Sequence, residues 1–214
     1  MINIGCDNVF EQQINELENI KFEEDFIILE GNIPLLFSAP HTMYQLRDDG
    51  TTKLKEPYTK AIALYLNKYC STYAIVKNND TGVDSNRDNY DQYNIEMRRL
   101  IKEHNIKLVI DLHGASKDRE FDVEFGTLNN LSADFSTIKE LEEAFTENGI
   151  NNINHNDPFK GGAITQGIYS LDDVDIIQIE INGKYRDYSN IKELENLIQS
   201  LQIFIKQYNK YVSR

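Results

Sequence analysis

The sequence predicts a single-domain, three-layer α/β/α fold of the α/β class, with helices on both faces of a mostly parallel, mixed central sheet. Three observations predict it. Segments of strand character interleave with helical segments along the chain. Lys107-Leu-Val-Ile-Asp-Leu112 is a short apolar run of the kind found in a buried strand. Ile191, Leu194, Ile198, Leu201, Ile205 and Tyr208 keep helical period through the last stretch of chain. The length of 214 residues, 40% of them apolar, suffices for one generous domain over residues 1–214 with a buried core.

The elements follow in order. Phe10, Ile14 and Leu17 share one helical face. Phe26–Leu29 and Ile33–Phe37 flank Gly31-Asn32 and predict a β-hairpin. Tyr44 to Pro57 is a loop dense in charge, and a long charged loop in a compact domain is functional or mobile. Ile62, Tyr65, Leu66 and Tyr69 predict a helix with Thr59 as its N-cap. Tyr73–Lys77 is a strand, and Asn78 to Tyr90 has loop composition. Met97, Leu100, Ile101 and His104 mark a helix face closed by Asn105. Beyond the buried run, Glu120–Gly126 reads as a strand, and Ile138, Leu141 and Phe145 as a helix face ending at Asn148-Gly149. Ile164–Tyr169 and Val174–Asn182 are two further expected strands.

Charge narrows the function classes. Lys plus Arg is 22 and Asp plus Glu is 35, a formal charge of −13. Such a surface repels phosphate backbones and anionic lipid, so neither nucleic acid nor membrane is an expected partner. No apolar stretch approaches a membrane span, and Met1 to Asp7 lacks the basic start and apolar run of a secretory signal. Cys6 and Cys70 make neither a disulfide framework nor a zinc knuckle, so a cytoplasmic, reducing compartment is expected.

His41 and His113 each end an apolar strand, the positions where open α/β sheets bind ligands. Two neutral imidazoles delivered there from different strands suggest a metal site, against the blander reading of two capping histidines. A catalytic zinc commonly takes two His, one carboxylate and an open position. The carboxylate must come from outside a compact motif, because Tyr44 stands three residues after His41. Asp48, Asp49 and Glu56 are the nearest candidates, and composition does not choose among them. Gln178, Glu180 and Asn182 alternate with Ile177, Ile179 and Ile181, which fits a half-exposed strand or a strand carrying Glu180 as a general base. Lys184-Tyr185-Arg186 follows and offers cations to a pocket. Asp84-Ser85-Asn86-Arg87 is either a surface turn or an arginine fork for a carboxylate, supported by an amide. Phe159-Lys160-Gly161-Gly162 is a turn or a close-approach loop beside a ligand. His104 reads as a core histidine and His155 as a loop residue.

These residues, in order, resemble the N-formylglutamate amidohydrolase family. The resemblance is carried by Ser38-Ala-Pro-His-Thr42, Glu56 ahead of Thr59, Gly82-Val-Asp-Ser-Asn-Arg87, Asp111-Leu-His-Gly114, Pro158-Phe-Lys-Gly-Gly162 and Gln178-Ile-Glu-Ile181, spanning residues 38–186. The Asp-x-Asn-Arg element is similar to the substrate-carboxylate motif of zinc carboxypeptidases and aspartoacylase-like amidases. Glu56-Pro-Tyr-Thr59 is similar to a glutamate-ligand segment of phage poly-γ-glutamate hydrolases. The resemblance implies a phosphorylase/hydrolase-like fold and one zinc ion held by His41, Glu56 and His113. It implies Glu180 as general base and Asn86 and Arg87 on the substrate's free carboxylate. The expected activity is hydrolysis of the amide of an N-formyl or N-acyl amino acid, a small anionic substrate. Arg87, Lys160 and Arg186 are expected to make its pocket positive, with Gly161 in close approach and Arg87 also able to stabilise the oxyanion. A metallocarboxypeptidase or poly-γ-glutamate hydrolase is the alternative enzyme, and a non-catalytic binding module the alternative class.

Overall fold

The computed structural model describes residues 6–47, 49–171 and 173–212; Asp48 and residues 1–5, on which expectations above partly rest, lie outside the described residues. The elements run α1 (Cys6–Asn19), β1 (Phe26–Leu29), β2 (Ile33–Ala39), β3 (Gln45–Leu46), β4 (Thr52–Lys53), α2 (Thr59–Cys70), β5 (Thr72–Lys77) and α3 (Gln92–Glu103). Then come β6 (Leu108–Ala115), β7 (Val123–Gly126), α4 (Phe135–Glu147), β8 (Ile153–His155), α5 (Ala163–Tyr169), β9 (Asp175–Asn182) and α6 (Ile191–Val212). Seven strands form one sheet in the order β1-β5-β2-β6-β9-β7-β8. The central pairs β5–β2, β2–β6 and β6–β9 are parallel, while β1–β5 and β7–β9 are antiparallel. The mostly parallel, mixed α/β sheet expected from the sequence is therefore present.

The two faces differ. Leu35, Phe37, Ile110, Leu112, Ile177 and Ile179 pack with α1, α2, α4 and α6 in one cluster. Leu36, Val109 and Ile176 point the other way, into a smaller cluster with α3 and α5. On this second face the chemistry changes halfway along each strand. Leu36 is followed by Ser38, Val109 by Asp111 and His113, and Ile176 by Gln178 and Glu180. All of these polar side chains are buried. The carboxyl ends of three adjacent strands thus form a polar floor, and burying it requires partners for each group.

Four expectations are corrected. Phe26–Leu29 and Ile33–Phe37 do not pair as a hairpin, because β5 lies between them, antiparallel to β1 and parallel to β2. The Gly31-Asn32 connection instead crosses the start of β5, where the Asn32 and Ile33 amides both donate to Ser71 O. Thr59 is the first helical residue of α2 rather than its cap; Tyr58 occupies that position, and the Thr59 hydroxyl donates to Glu56 O. Ile164–Tyr169 is the helix α5, with Ile164 and Ile168 four apart on its buried side. His155 lies in the unforeseen strand β8, its ring edge-on to Phe125 and its Nε2 3.4 Å from Glu142.

Candidate metal centre and active site

Pro40 ends the run of β2 and swings His41 over the sheet, while His113 projects from β6. Their Nδ1 atoms lie 3.1 Å apart. Glu56 reaches both, its Oε1 3.2 Å from His41 Nδ1 and its Oε2 3.5 Å from His113 Nδ1. The backbone seats Glu56: its amide donates to His41 O at 2.8 Å, and Oε2 accepts from the Gly114 amide at 2.9 Å. Of the two candidate loop carboxylates among the described residues, Asp49 and Glu56, Glu56 is the one brought to the histidines. Asp49 instead faces Arg87.

The donor set fits a metal ion. One donor atom from each of His41, Glu56 and His113 falls within 4.8 Å of the others, and all three residues are buried. The two imidazole nitrogens are 3.1 Å apart, close to the edge of about 3.3 Å spanned by tetrahedral ligands about 2.0–2.1 Å from zinc, and each faces one of the two Glu56 oxygens, at 3.2 and 3.5 Å. The far nitrogens are already used. His41 Nε2 donates to Asp84 Oδ1 at 2.8 Å, and His113 Nε2 to Asp111 Oδ2 at 2.9 Å. In a neutral imidazole this leaves the Nδ1 lone pair facing the cluster, the tautomer a ligand needs.

Without metal the cluster is held by its own charges. Burial disfavours a charged His113, yet Asp111 and Glu56 outweigh it and push its pKa well above the ordinary value. Burial works against ionised Glu56 too, and the His41 and His113 imidazoles hold its pKa well below the carboxylate range. Lys53 Nζ adds a contact of 2.5 Å to Glu56 Oε1. Asp84 is kept ionised against burial by His41 and by Arg47, whose Nε and terminal nitrogen both reach its Oδ2.

Glu180 sits one strand over. The β6–β9 register sets it directly beside His113, with Gln178 beside Asp111. It is 6% exposed, so the alternation along β9 does not mark a half-exposed strand. Burial raises the Glu180 pKa, with His113 pulling it down and Glu56 pushing it further up. Gln178 holds the carboxylate, donating to Oε1 at 3.0 Å and accepting from the Gly162 amide at 2.9 Å.

A cleft of about 340 Å³ opens over this floor. Its walls include Arg47, Lys53, Asn86, Arg87, Lys160 and Gly161. Asn86 is seated because Gly162 has no side chain; a Cβ there would fall 2.1 Å from Asn86 Oδ1. Arg87 is half exposed and donates to Asp49 Oδ2 at 2.8 Å. Arg186 is the exception among the expected pocket residues. It is buried, and its guanidinium donates to the carbonyls of Ile181, Pro57 and Ala115 rather than lining the cleft. A planar fork with divergent donors meets three carbonyls from separate segments, which is why it points inward.

Sequence reasoning missed the roles of Asp84, Asp111 and Gln178. One signal was available: Asp111 is two residues before His113, so both side chains project from the same face of one strand. Asp111→Asn keeps the shape and removes the charge behind His113. We expect metal affinity, read by chelator competition, to fall about 10- to 100-fold, as for other outer partners of ligating histidines. Unchanged affinity would reduce Asp111 to a packing role.

A family model described as N-formylglutamate amidohydrolase matches residues 79–185. The chain belongs to the N-formylglutamate amidohydrolase family. His113, Glu180, Asn86 and Arg87 lie inside the matched segment, whereas His41 and Glu56 precede it and join the site by geometry. No curated protein sequence matches the chain. Among solved structures, an N-formylglutamate amidohydrolase from Ralstonia eutropha JMP134 is 14% identical, with a TM-score of 0.62 over 87% of this chain and 98% of that one. A bacteriophage poly-gamma-glutamate hydrolase is 15% identical, with a TM-score of 0.58 over 94% and 97%. A metallo-carboxypeptidase from Pseudomonas aeruginosa is 12% identical, with a TM-score of 0.51 over 86% and 61%. At these identities the likeness is one of fold. Family and fold together support an amidohydrolase or peptidase-like enzyme acting on a small amide-containing substrate. Among the described residues no helix is long and apolar enough to cross a membrane.

Proposed function

We propose that residues 1–214 act as one zinc-dependent amidohydrolase domain that cleaves the amide of an N-formyl or N-acyl amino acid such as N-formylglutamate. The observation that carries this reading is the convergence of one donor atom each from buried His41, Glu56 and His113, beside Glu180 and beneath Arg87. Two His and one Glu form a known catalytic zinc set. The chemistry supplied by a bound zinc is Lewis acidity, which polarises a carbonyl and brings the ionisation of water down to about pH 7.

The side chains divide the remaining work. Glu180 takes a proton from the attacking water and returns it to the leaving amine, held in place by Gln178. Arg87 grips the free carboxylate of the substrate, exchanging Asp49 for it, while Asn86 flanks that grip. Lys160 and Gly161 close the other wall. In a chain of formal charge −13, the cleft cations are what admit an anion. A metallocarboxypeptidase or poly-γ-glutamate hydrolase activity is the second reading, supported by the fold shared with those enzymes. Turnover of a panel of N-formyl, N-acetyl and γ-glutamyl substrates, with and without chelator, decides between them. Zinc-independent turnover, or no turnover of any panel member by zinc-loaded protein, would refute the reading.

Arg87 sharpens the substrate class. A guanidinium makes two parallel bonds to a carboxylate, a geometry lysine lacks. We expect Arg87→Lys to raise KM for substrates with a free carboxylate about tenfold or more and to leave an uncharged amide analogue unaffected. An equal loss of kcat on both substrates would move Arg87 to the oxyanion.

A further inference from the structure

Arg186 makes three hydrogen bonds, and each falls on the backbone beside a different functional residue. Nε donates to Ile181 O at 3.0 Å, one residue after Glu180. One terminal nitrogen donates to Pro57 O at 2.9 Å, one residue after Glu56. The other donates to Ala115 O at 2.9 Å, two residues after His113. Three segments far apart in sequence, carrying two candidate metal ligands and the candidate base, therefore meet on one planar group.

Two local features serve this contact. Gly114 has no side chain, and a Cβ there would lie 2.3 Å from Arg186 Cζ, so the guanidinium rests against the Gly114 backbone. That same Gly114 amide donates to Glu56 Oε2. Pro57 precedes Tyr58, whose φ of 66° puts a non-glycine residue in the left-handed region. Such a residue persists when its surroundings over-determine it, and here Arg186 holds the carbonyl on one side while the Tyr58 ring stacks on Tyr188. The tight turn of residues 183–186 after β9 delivers the arginine, so one short stretch supplies both the base and the group that positions it.

We propose that Arg186 is a positioning residue: its guanidinium clamps the Glu56, His113 and Glu180 backbones in register and thereby sets the affinity and geometry of the metal site. The inference rests on the reading of His41, Glu56 and His113 as metal ligands. Lysine at this position keeps the charge but concentrates its donors at one point and cannot reach three diverging carbonyls.

The test compares wild type, Arg186→Lys, Gly114→Ala and the double variant, each stripped of metal and titrated with zinc against a chromophoric chelator. The visible spectrum of the cobalt(II)-loaded proteins and the melting of the metal-free proteins are recorded alongside. Gly114→Ala places a methyl where the guanidinium lies and expels it without deleting it. Both variants are expected to bind zinc about 10- to 100-fold more weakly than wild type and to show altered cobalt absorption. The double variant is expected to be no weaker than Arg186→Lys alone, because the group that Gly114→Ala displaces is already gone. A lower melting temperature with wild-type zinc affinity and cobalt spectrum would overturn the clamp and leave Arg186 purely structural. Should Arg186→Lys not fold, Gly114→Ala decides, unchanged zinc affinity overturning the proposal. Failure of wild type to bind zinc would instead overturn the ligand reading, and the clamp with it.

Discussion

His113→Ala is expected to reduce bound zinc from about one ion per chain to background and to abolish amide hydrolysis. Among the described residues His113 supplies one of three side-chain donors in the cluster, and its loss leaves His41 and Glu56 as a pair. Two ligands cannot fix an ion and leave a defined open position. The substitution also strands Asp111, whose Oδ2 is paired with His113 Nε2. Removing one partner of such a buried pair costs about 3–5 kcal/mol. The metal-free wild type therefore carries a pH signature. Its His113 pKa is raised above 6.5, so the stabilisation is fully present below pH 6.5 and is lost as pH rises through the higher folded-state value. Metal replaces that proton, and the zinc-loaded protein is expected not to show the loss. Elemental analysis, turnover and melting curves across pH check these outcomes. Stoichiometric zinc and wild-type turnover in His113→Ala would remove the metal centre from the mechanism.

Glu180→Gln is expected to keep metal and fold and to lose turnover by a factor of about 10² to 10⁴, the usual worth of a positioned base. Glutamine preserves size and can still meet Gln178, so the sheet has no reason to move. The acidic limb of the rate profile identifies the group. A base works when ionised, and burial lifts the Glu180 pKa above its ordinary 4.5, so kcat/KM falls as pH drops through that higher value. The limb is expected to vanish in the variant. Undiminished turnover would rule Glu180 out as the base.

The legibility of this site follows from how local each cause is. His41 and His113 could be found because each follows a short apolar run, a pattern within half a dozen residues, although His41 lies two residues past β2 and His113 lies within β6. Glu180 showed in the two-residue period of β9, although period alone could not say that its polar face is buried. Glu56 was indistinguishable from its neighbours by composition. What selects it is a hydrogen bond from its own amide to His41 O and one from the Gly114 amide to its carboxylate, contacts set by the folded chain. Arg186 looked like a pocket cation because nothing in Lys184-Tyr185-Arg186 says which way the arginine points; three carbonyls from distant segments decide that. The hairpin expected at Gly31-Asn32 failed for the same reason, since strand order is a tertiary property and β5 outcompeted the local pairing. Ile164–Tyr169 is too short for period to separate strand from helix.

The pairing of β6 with β9 separates two tasks. The spacing between His113 and Glu180 is one rung of a hydrogen-bonded ladder, about 4.8 Å, fixed by peptide geometry rather than by side-chain choice. Asn86, Arg87, Lys160 and Gly161, by contrast, stand on loops outside the regular elements. On the proposed function, insertions or exchanges in those loops redraw the outline of the acceptable substrate while the spacing between His113 and Glu180 stays constant. On that reading, diversification of substrate range on this scaffold requires no retuning of the proton transfer, and an engineer seeking new amide substrates has the loops as free variables and the ladder as a constant.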